Sequence, residues 1–220
     1  MNQNALKEAV ALAALDYIPE NGILGIGSGS TVNCFIAALA SKKHLIEATV
    51  ASSVASYTLL KQHHIPVVEF NQVSSIDVYI DGADEINPHF QMIKGGGGCL
   101  LREKILATAA QKFVCIIDES KMVKALGAFP LAIEVLPMAQ SYVARELVKL
   151  GGLPVLREGF VTDNHNIILD VHRLPLHEPI ALEETLASIP GLLGSGLFAK
   201  RPADSLLLAS TSGIQTKERA

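Results

Sequence analysis

Short apolar runs alternate with helix-forming segments from residue 23 to residue 117, and this alternation limits the chain to parallel strands joined by crossover helices. Asn21 and Gly22 mark a turn into an apolar strand at 23–26. A helix is expected at 31–39, a strand at 48–52, a helix at 54–63 and a strand at 66–69. A buried strand at 77–81, a helix at 100–110 and a strand at 112–117 continue the order. In such sheets ligands collect beyond the carboxyl ends of the strands. The regions around Ser28, Asp81 and Asp118 all fall there.

Before the first strand, Leu6, Ala9, Val10 and Ala13 recur at helical spacing. Charges at Lys7, Glu8 and Asp16 break that segment, so it reads as a helix and not a signal peptide. Beyond Gly127 the order changes to strand 131–136, helix 138–150, strands 155–157 and 167–171, helix 182–188 and a last strand near 192–198. That β-α-β-β-α-β succession describes a small α+β ferredoxin-like domain. The expected organisation is a Rossmann-like α/β domain, a mostly parallel sheet flanked by helices, over 1–128 plus 205–220, with the smaller domain over 129–204. Residues 206–210 are expected to return to the first sheet.

Hydrophobic residues make up 49% of the 220, enough for a sizeable core. A formal charge of −4 provides no general basic field, which argues against a nucleic-acid partner. Gly, Pro or charge interrupts every apolar run before it could span a bilayer, so no membrane partner is expected. Cys34, Cys99 and Cys115 form no CxxC pair, and a reducing cytoplasm suits them best.

The run Lys94-Gly95-Gly96-Gly97-Gly98 leads into a helix start carrying Glu103. Glycines there let backbone N–H groups approach an anion, beside a lysine and a carboxylate. It is not a Walker loop, whose lysine follows the glycines. The competing account is a flexible loop with Glu103 complementing the helix dipole. A second glycine-rich turn, Gly25 to Thr31, sits at a strand-to-helix junction, where Ser28, Gly29, Ser30 and Thr31 offer amides and hydroxyls to a phosphate. A dinucleotide fingerprint needs glycine where Ser30 stands, and a plain helix cap is the remaining possibility.

Asp81, Gly82, Ala83, Asp84 and Glu85 follow an apolar strand, so their carboxylates emerge at the same edge of the sheet. Paired acids there can hold hydroxyls or move protons; the alternative is a solvated Asp-Gly turn. Lysines and glycines are the neighbours, so no metal is expected. Lys121 lies just after the 112–117 strand, and is either a further cation for the site or a surface lysine. The seven histidines have no metal-ligand spacing and receive no role.

Taken in order, GIGSGST, SSVAS, DGADE, KGGGGCLLREK, the DESK segment, VTDNHNIILD and IPGLLGSGLF resemble ribose-5-phosphate isomerase of the A type along nearly the whole chain. The resemblance implies a cofactor-independent aldose–ketose isomerase interconverting ribose 5-phosphate and ribulose 5-phosphate in the non-oxidative pentose phosphate pathway. It implies Glu103 as catalytic base, and substrate contacts from Ser28, Gly29, Ser30, Thr31, Asp81, Gly82, Ala83, Asp84, Lys94, Gly95, Gly96, Gly97 and Lys121. Asp81 is the candidate for assisting opening of the furanose, and a homodimer is implied. Cys99 stands where small residues such as Ala are common, and His165 replaces a glycine often seen in the turn. Competing functions are a non-catalytic sugar-phosphate sensor, for which too little chain precedes residue 23 to hold a helix-turn-helix, and another sugar-phosphate enzyme of the same fold. A CoA transferase would need a nucleophilic glutamate and room for CoA.

Overall fold

The computed structural model describes residues 2–219. In chain order the elements are α1 (Gln3–Ala13), β1 (Ile23–Ile26), α2 (Ser30–Leu39), β2 (Ala48–Ala51), α3 (Val54–Gln62), β3 (Ile76–Asp81), β4 (Glu85–Ile86), β5 (Met92–Ile93), α4 (Leu100–Ala109) and β6 (Ala110–Asp118). There follow β7 (Leu131–Val135), α5 (Gln140–Lys149), β8 (Leu153–Leu156), β9 (Ile167–His172), α6 (Pro179–Ala187), β10 (Leu192–Ser195), β11 (Leu197–Phe198), β12 (Ser205–Ser210) and β13 (Gly213–Glu218).

The chain groups into two compact units, residues 1–83, 105–122 and 203–220 in the first, and 84–104 and 123–202 in the second. The first holds a six-stranded sheet in the order β13-β12-β6-β3-β1-β2, parallel except for β13. Its central strands are buried on both faces, which is why they read as near-continuous apolar runs. Leu24, Ile26, Ile80, Val114, Ile116 and Leu207 pack against Val10, Phe35, Ile36 and Leu39 from α1 and α2. Helix starts are fixed by side-chain caps: Asn2 Oδ1 accepts from Ala5 N on α1, and Ser53 Oγ from Ser56 N on α3.

The second unit contains a four-stranded antiparallel sheet ordered β10-β7-β9-β8, with α5 and α6 packed on it through Val143, Leu147 and Leu186. Numbered within the unit, that order is 4-1-3-2 with helices after strands 1 and 3, the arrangement expected of the ferredoxin-like succession. A separate three-stranded sheet, β11-β5-β4, carries the segment that leads into the glycine run.

Three sequence expectations change. Residues 66–69 form no strand; Val67 makes only an isolated bridge to Thr49, because Pro66 has no N–H to give a ladder. The strand expected near 192–198 is two strands in different sheets, broken at Gly196, where a Cβ would come 2.1 Å from Lys94 O. The boundary drawn near residue 128 differs from the structural grouping, in which 84–104 belong to the second unit, where β5 pairs with β11 and β4 with β5. The return of 205–210 to the first sheet is observed, parallel to β6.

Candidate active site

In the first unit, β1 ends at Ile26, and the turn Gly27-Ser28-Gly29 delivers the chain to the start of α2. Gly27 is obligatory by close approach, since a Cβ there would lie 2.0 Å from the Asp81 carboxyl carbon. Gly29 has φ +95°, in the region that favours glycine. Asp81, fully buried at the end of β3, is held by both oxygens: Oδ1 accepts from Ser28 N at 3.1 Å and Gly82 N at 2.7 Å, and Oδ2 accepts from Tyr79 Oη at 2.5 Å. The adjacent strand ends thus share one carboxylate. Gly29 and Ser30 are exposed and Thr31 half-buried, leaving the first turn of α2 able to meet an anion. Ser56, which sequence reading quoted only within SSVAS, donates to Gly27 O at 2.6 Å and steadies the same turn.

Asp118 closes β6 and caps a short 3₁₀ turn over Glu119–Lys121, accepting from Ser120 N at 3.0 Å. Burial pushes its carboxyl pKa up, but hydrogen bonds from Ser120 Oγ, Ser120 N and Gln3, with the charge of Lys121, outweigh that and hold it below the ordinary value. Lys121 is half-buried at the end of this turn.

In the second unit, Lys94 and Glu103 are buried together, with Lys94 Nζ 3.3 Å from Glu103 Oε2. Glu103 lies in the first turn of α4 and Lys94 directly after β5, so the glycine run between them folds back to bring cation and carboxylate into contact. The Phe198 ring lies 5.6 Å from the Lys94 ammonium. Asp84 Oδ2 accepts from Gly96 N at 2.8 Å. The Gly96 amide is therefore engaged by Asp84, while Gly97 is exposed and a Cβ on it would meet nothing within 4 Å. Gly95 is required by crowding: at φ +103°, its Cβ would strike Leu100 and Ala132. Glu85, the remaining acid of DGADE, is structural; it accepts from Gly127 N at 2.7 Å and Phe129 N at 2.6 Å.

Sequence reading missed the residues around this loop. Arg157 Nη1 donates to both Gly95 O and Gly96 O at 3.1 Å, and its other nitrogens grip Asp170. Arg102 ties α4 to the 162–166 turn through Asn164 Oδ1 and Asp163 O. That turn hangs on fully buried Glu134, whose Oε1 accepts from Thr162, Asn164 and Asn166. Lys104 pairs with Glu183, donates to Leu197 O and lies 4.2 Å from the Phe198 ring; burial lowers its pKa. Among the described residues no group of three His, Cys, Asp or Glu side chains forms a metal-binding cluster, and no helix is long and apolar enough to cross a membrane.

The arrangement offers a buried carboxylate beside an ammonium and a glycine loop in one unit, and a glycine-rich helix start in the other. A family model for ribose 5-phosphate isomerase A (phosphoriboisomerase A) matches residues 48–213. The chain belongs to the ribose 5-phosphate isomerase A family. A family member from Legionella pneumophila strain Philadelphia 1 is 57% identical over 209 residues, covering 95% of this chain and 97% of its own. The crystal structure of ribose 5-phosphate isomerase A from Neisseria gonorrhoeae superposes with a TM-score of 0.97 at 46% identity, covering 100% of this chain and 98% of that one. A D-ribose-5-phosphate isomerase in complex with phospho-erythronic acid gives a TM-score of 0.96 at 35% identity, with full coverage of both chains. Family membership fits the mostly parallel sheet flanked by helices and makes the protein an aldose–ketose isomerase.

Proposed function

We propose that the chain interconverts D-ribose 5-phosphate and D-ribulose 5-phosphate through an enediolate, with Glu103 moving the proton. The observation that carries this is the buried Lys94–Glu103 pair at the end of the glycine loop. Glu103 takes the proton from C2 of the open-chain aldose; the electron pair forms the C1–C2 double bond and charge develops on the former carbonyl oxygen. The same carboxyl then returns the proton to C1, and a proton moves between the two oxygens. Lys94 and the Gly97 amide stabilise the oxyanion, and desolvation around the pair strengthens each contact. Gly95 and Gly96 give the loop its shape, with Asp84 bracing it through the Gly96 amide.

Ser28, Gly29, Ser30 and Thr31 take the phosphate at the start of α2, with Lys121 adding positive charge. Asp81, with Gly82 and Ala83 following it, assists opening of the furanose, since the cyclic sugar has no carbonyl to enolise. Phospho-erythronic acid, the ligand of a structural relative, carries a phosphate and a carboxylate on a four-carbon chain, which resembles the charge distribution of the enediolate. The pathway is the non-oxidative pentose phosphate route, the compartment the cytoplasm and the working form a homodimer, for which sedimentation equilibrium is the check.

Incubation of purified protein with ribose 5-phosphate, without additives, should yield the ketose. Absence of ketose above the blank would overturn the assignment, and binding without turnover would favour a sugar-phosphate sensor.

A further inference from the structure

The carbonyl groups of Gly95 and Gly96 both accept from Arg157 Nη1 at 3.1 Å. In a trans peptide the C=O and the N–H point to opposite sides, and the described residues have no cis peptide bond. The Gly96 N–H, across the peptide from Gly95 O, does point away from Arg157, and meets Asp84 Oδ2 at 2.8 Å. By the same geometry the Gly97 N–H, across from Gly96 O, is aimed away from Arg157, on an exposed residue beside open space. One guanidinium therefore sets the direction of two consecutive amide donors.

Arg157 is itself fixed from behind. Its Nε donates to Asp170 Oδ2 at 2.8 Å and its Nη2 to Asp170 Oδ1 at 2.5 Å, a two-point fork between planar groups. Asp170 lies in β9 and Arg157 directly after β8, strands paired antiparallel, and Arg157 N donates to Ile168 O at 2.9 Å. The guanidinium also lies 5.3 Å from the Phe160 ring, the same ring that Gly98 approaches so closely that a Cβ there would come within 2.3 Å. The glycines leave the loop free to adopt many conformations, and the rigid sheet takes that freedom away through Arg157. A cation on a carbonyl oxygen also polarises the peptide, making its N–H a better donor.

We infer, on the assignment above that this loop stabilises the developing oxyanion, that Arg157, buttressed by Asp170, is the positioning residue that aims and polarises the Gly97 amide. It touches no reacting atom. Its effect falls on the transition state, where the amide meets full negative charge, and much less on the neutral sugar.

The test compares wild type, Arg157→Ala, Arg157→Lys and Asp170→Asn for kcat, KM, Tm and affinity for two probes, phospho-erythronic acid and ribitol 5-phosphate, which has no charge at its C1 end. Arg157→Ala should lose roughly 10- to 100-fold in kcat with KM changed less than about threefold, because a small misplacement of a catalytic donor costs that much. Phospho-erythronic acid should bind more weakly and ribitol 5-phosphate equally well. Lysine keeps the charge but cannot hold two carbonyls and a carboxylate together, so Arg157→Lys should recover only part of kcat. Added guanidinium should partly restore Arg157→Ala. If alanine prevents folding, the lysine and Asp170→Asn variants are read by the same criteria. Near wild-type kcat in folded variants, or equal weakening of both probes, would overturn the inference. Failure of wild type itself to isomerise the sugar would instead remove the assignment on which it stands.

Discussion

Lys94 Nζ stands 3.3 Å from Glu103 Oε2, with both side chains 4% exposed. Surface lysine–glutamate pairs contribute little, but this pair is withdrawn from water, where the attraction between the two charges is screened far less. In the proposed mechanism that ammonium would exchange part of its interaction with the carboxylate for one with substrate oxygen.

Glu103→Gln should therefore abolish turnover while sparing binding. The amide keeps size and hydrogen bonding but cannot accept the C2 proton, so kcat should fall by roughly 10²–10⁴-fold. The dissociation constant for ribitol 5-phosphate should stay close to wild type. If Glu103 only complemented the helix dipole, stability would change by about 0.3–1 kcal/mol and turnover hardly at all. Solvent-deuterium incorporation into the sugar, followed by NMR, separates the two.

Free ribose should be a very poor substrate. On the proposed placing of the phosphate, the start of α2 and its hydroxyls would supply binding energy remote from the reacting carbons, and that energy would orient the sugar for proton transfer. Steady-state assays of ribose against its 5-phosphate check this, and comparable kcat/KM values would contradict the placing of phosphate at Ser28, Gly29, Ser30 and Thr31.

Acid should weaken the first unit through Asp118. Its pKa in the folded protein lies below the ordinary carboxyl value, so its stabilising contribution is complete above that ordinary value and is lost as pH falls through the depressed one. Ser120→Ala removes the Oγ donor 2.5 Å from Oδ1 and should lower Tm at neutral pH. The difference between variant and wild type should shrink toward the acid end of a Tm series.

Glu183→Leu should destabilise more than Lys104→Met. Removing Lys104 leaves Glu183 with its two backbone donors, Ala199 N and Lys200 N, each at 2.8 Å. Removing Glu183 leaves the half-buried ammonium with the Leu197 carbonyl and the Phe198 ring but no carboxylate, and takes the acceptor from both amides at once. Losing one partner of a buried pair costs about 3 kcal/mol, and the orphaned amides add to it for the glutamate variant. Urea unfolding of the two variants gives the order directly.

Much of this was legible because local chemistry and global fold agree where the sheet meets the turns. Gly27 and Asp81 are recognisable as a glycine turn and a strand-end acid, and the structure explains both by one contact in which no side chain fits between them. Glu103 and Lys94 lie close in the chain, so a loop and a helix start suffice to predict their meeting. Arg157 and Asp170 were not legible, because only the pairing of β8 with β9 joins them to a loop about sixty residues away. Phe198 was concealed by the break at Gly196, since apolar spacing cannot report that a strand changes sheets. Residues 66–69 misled in the other direction: their apolar pattern is real, but a proline leads it.

The last strand of the six-stranded sheet was also unforeseen, being exposed along its whole length, and only Ile214 in it is a large apolar residue. Its neighbour β12 is buried throughout, so β13 serves as a hydrophilic selvedge on a sheet whose next strand would be sticky if laid bare. Lys217 and Glu218 put charge on that margin, where another chain seeking an open hydrogen-bonding edge would have to approach. The margin of the sheet is thus finished by six exposed residues, laid over a strand that is buried from end to end.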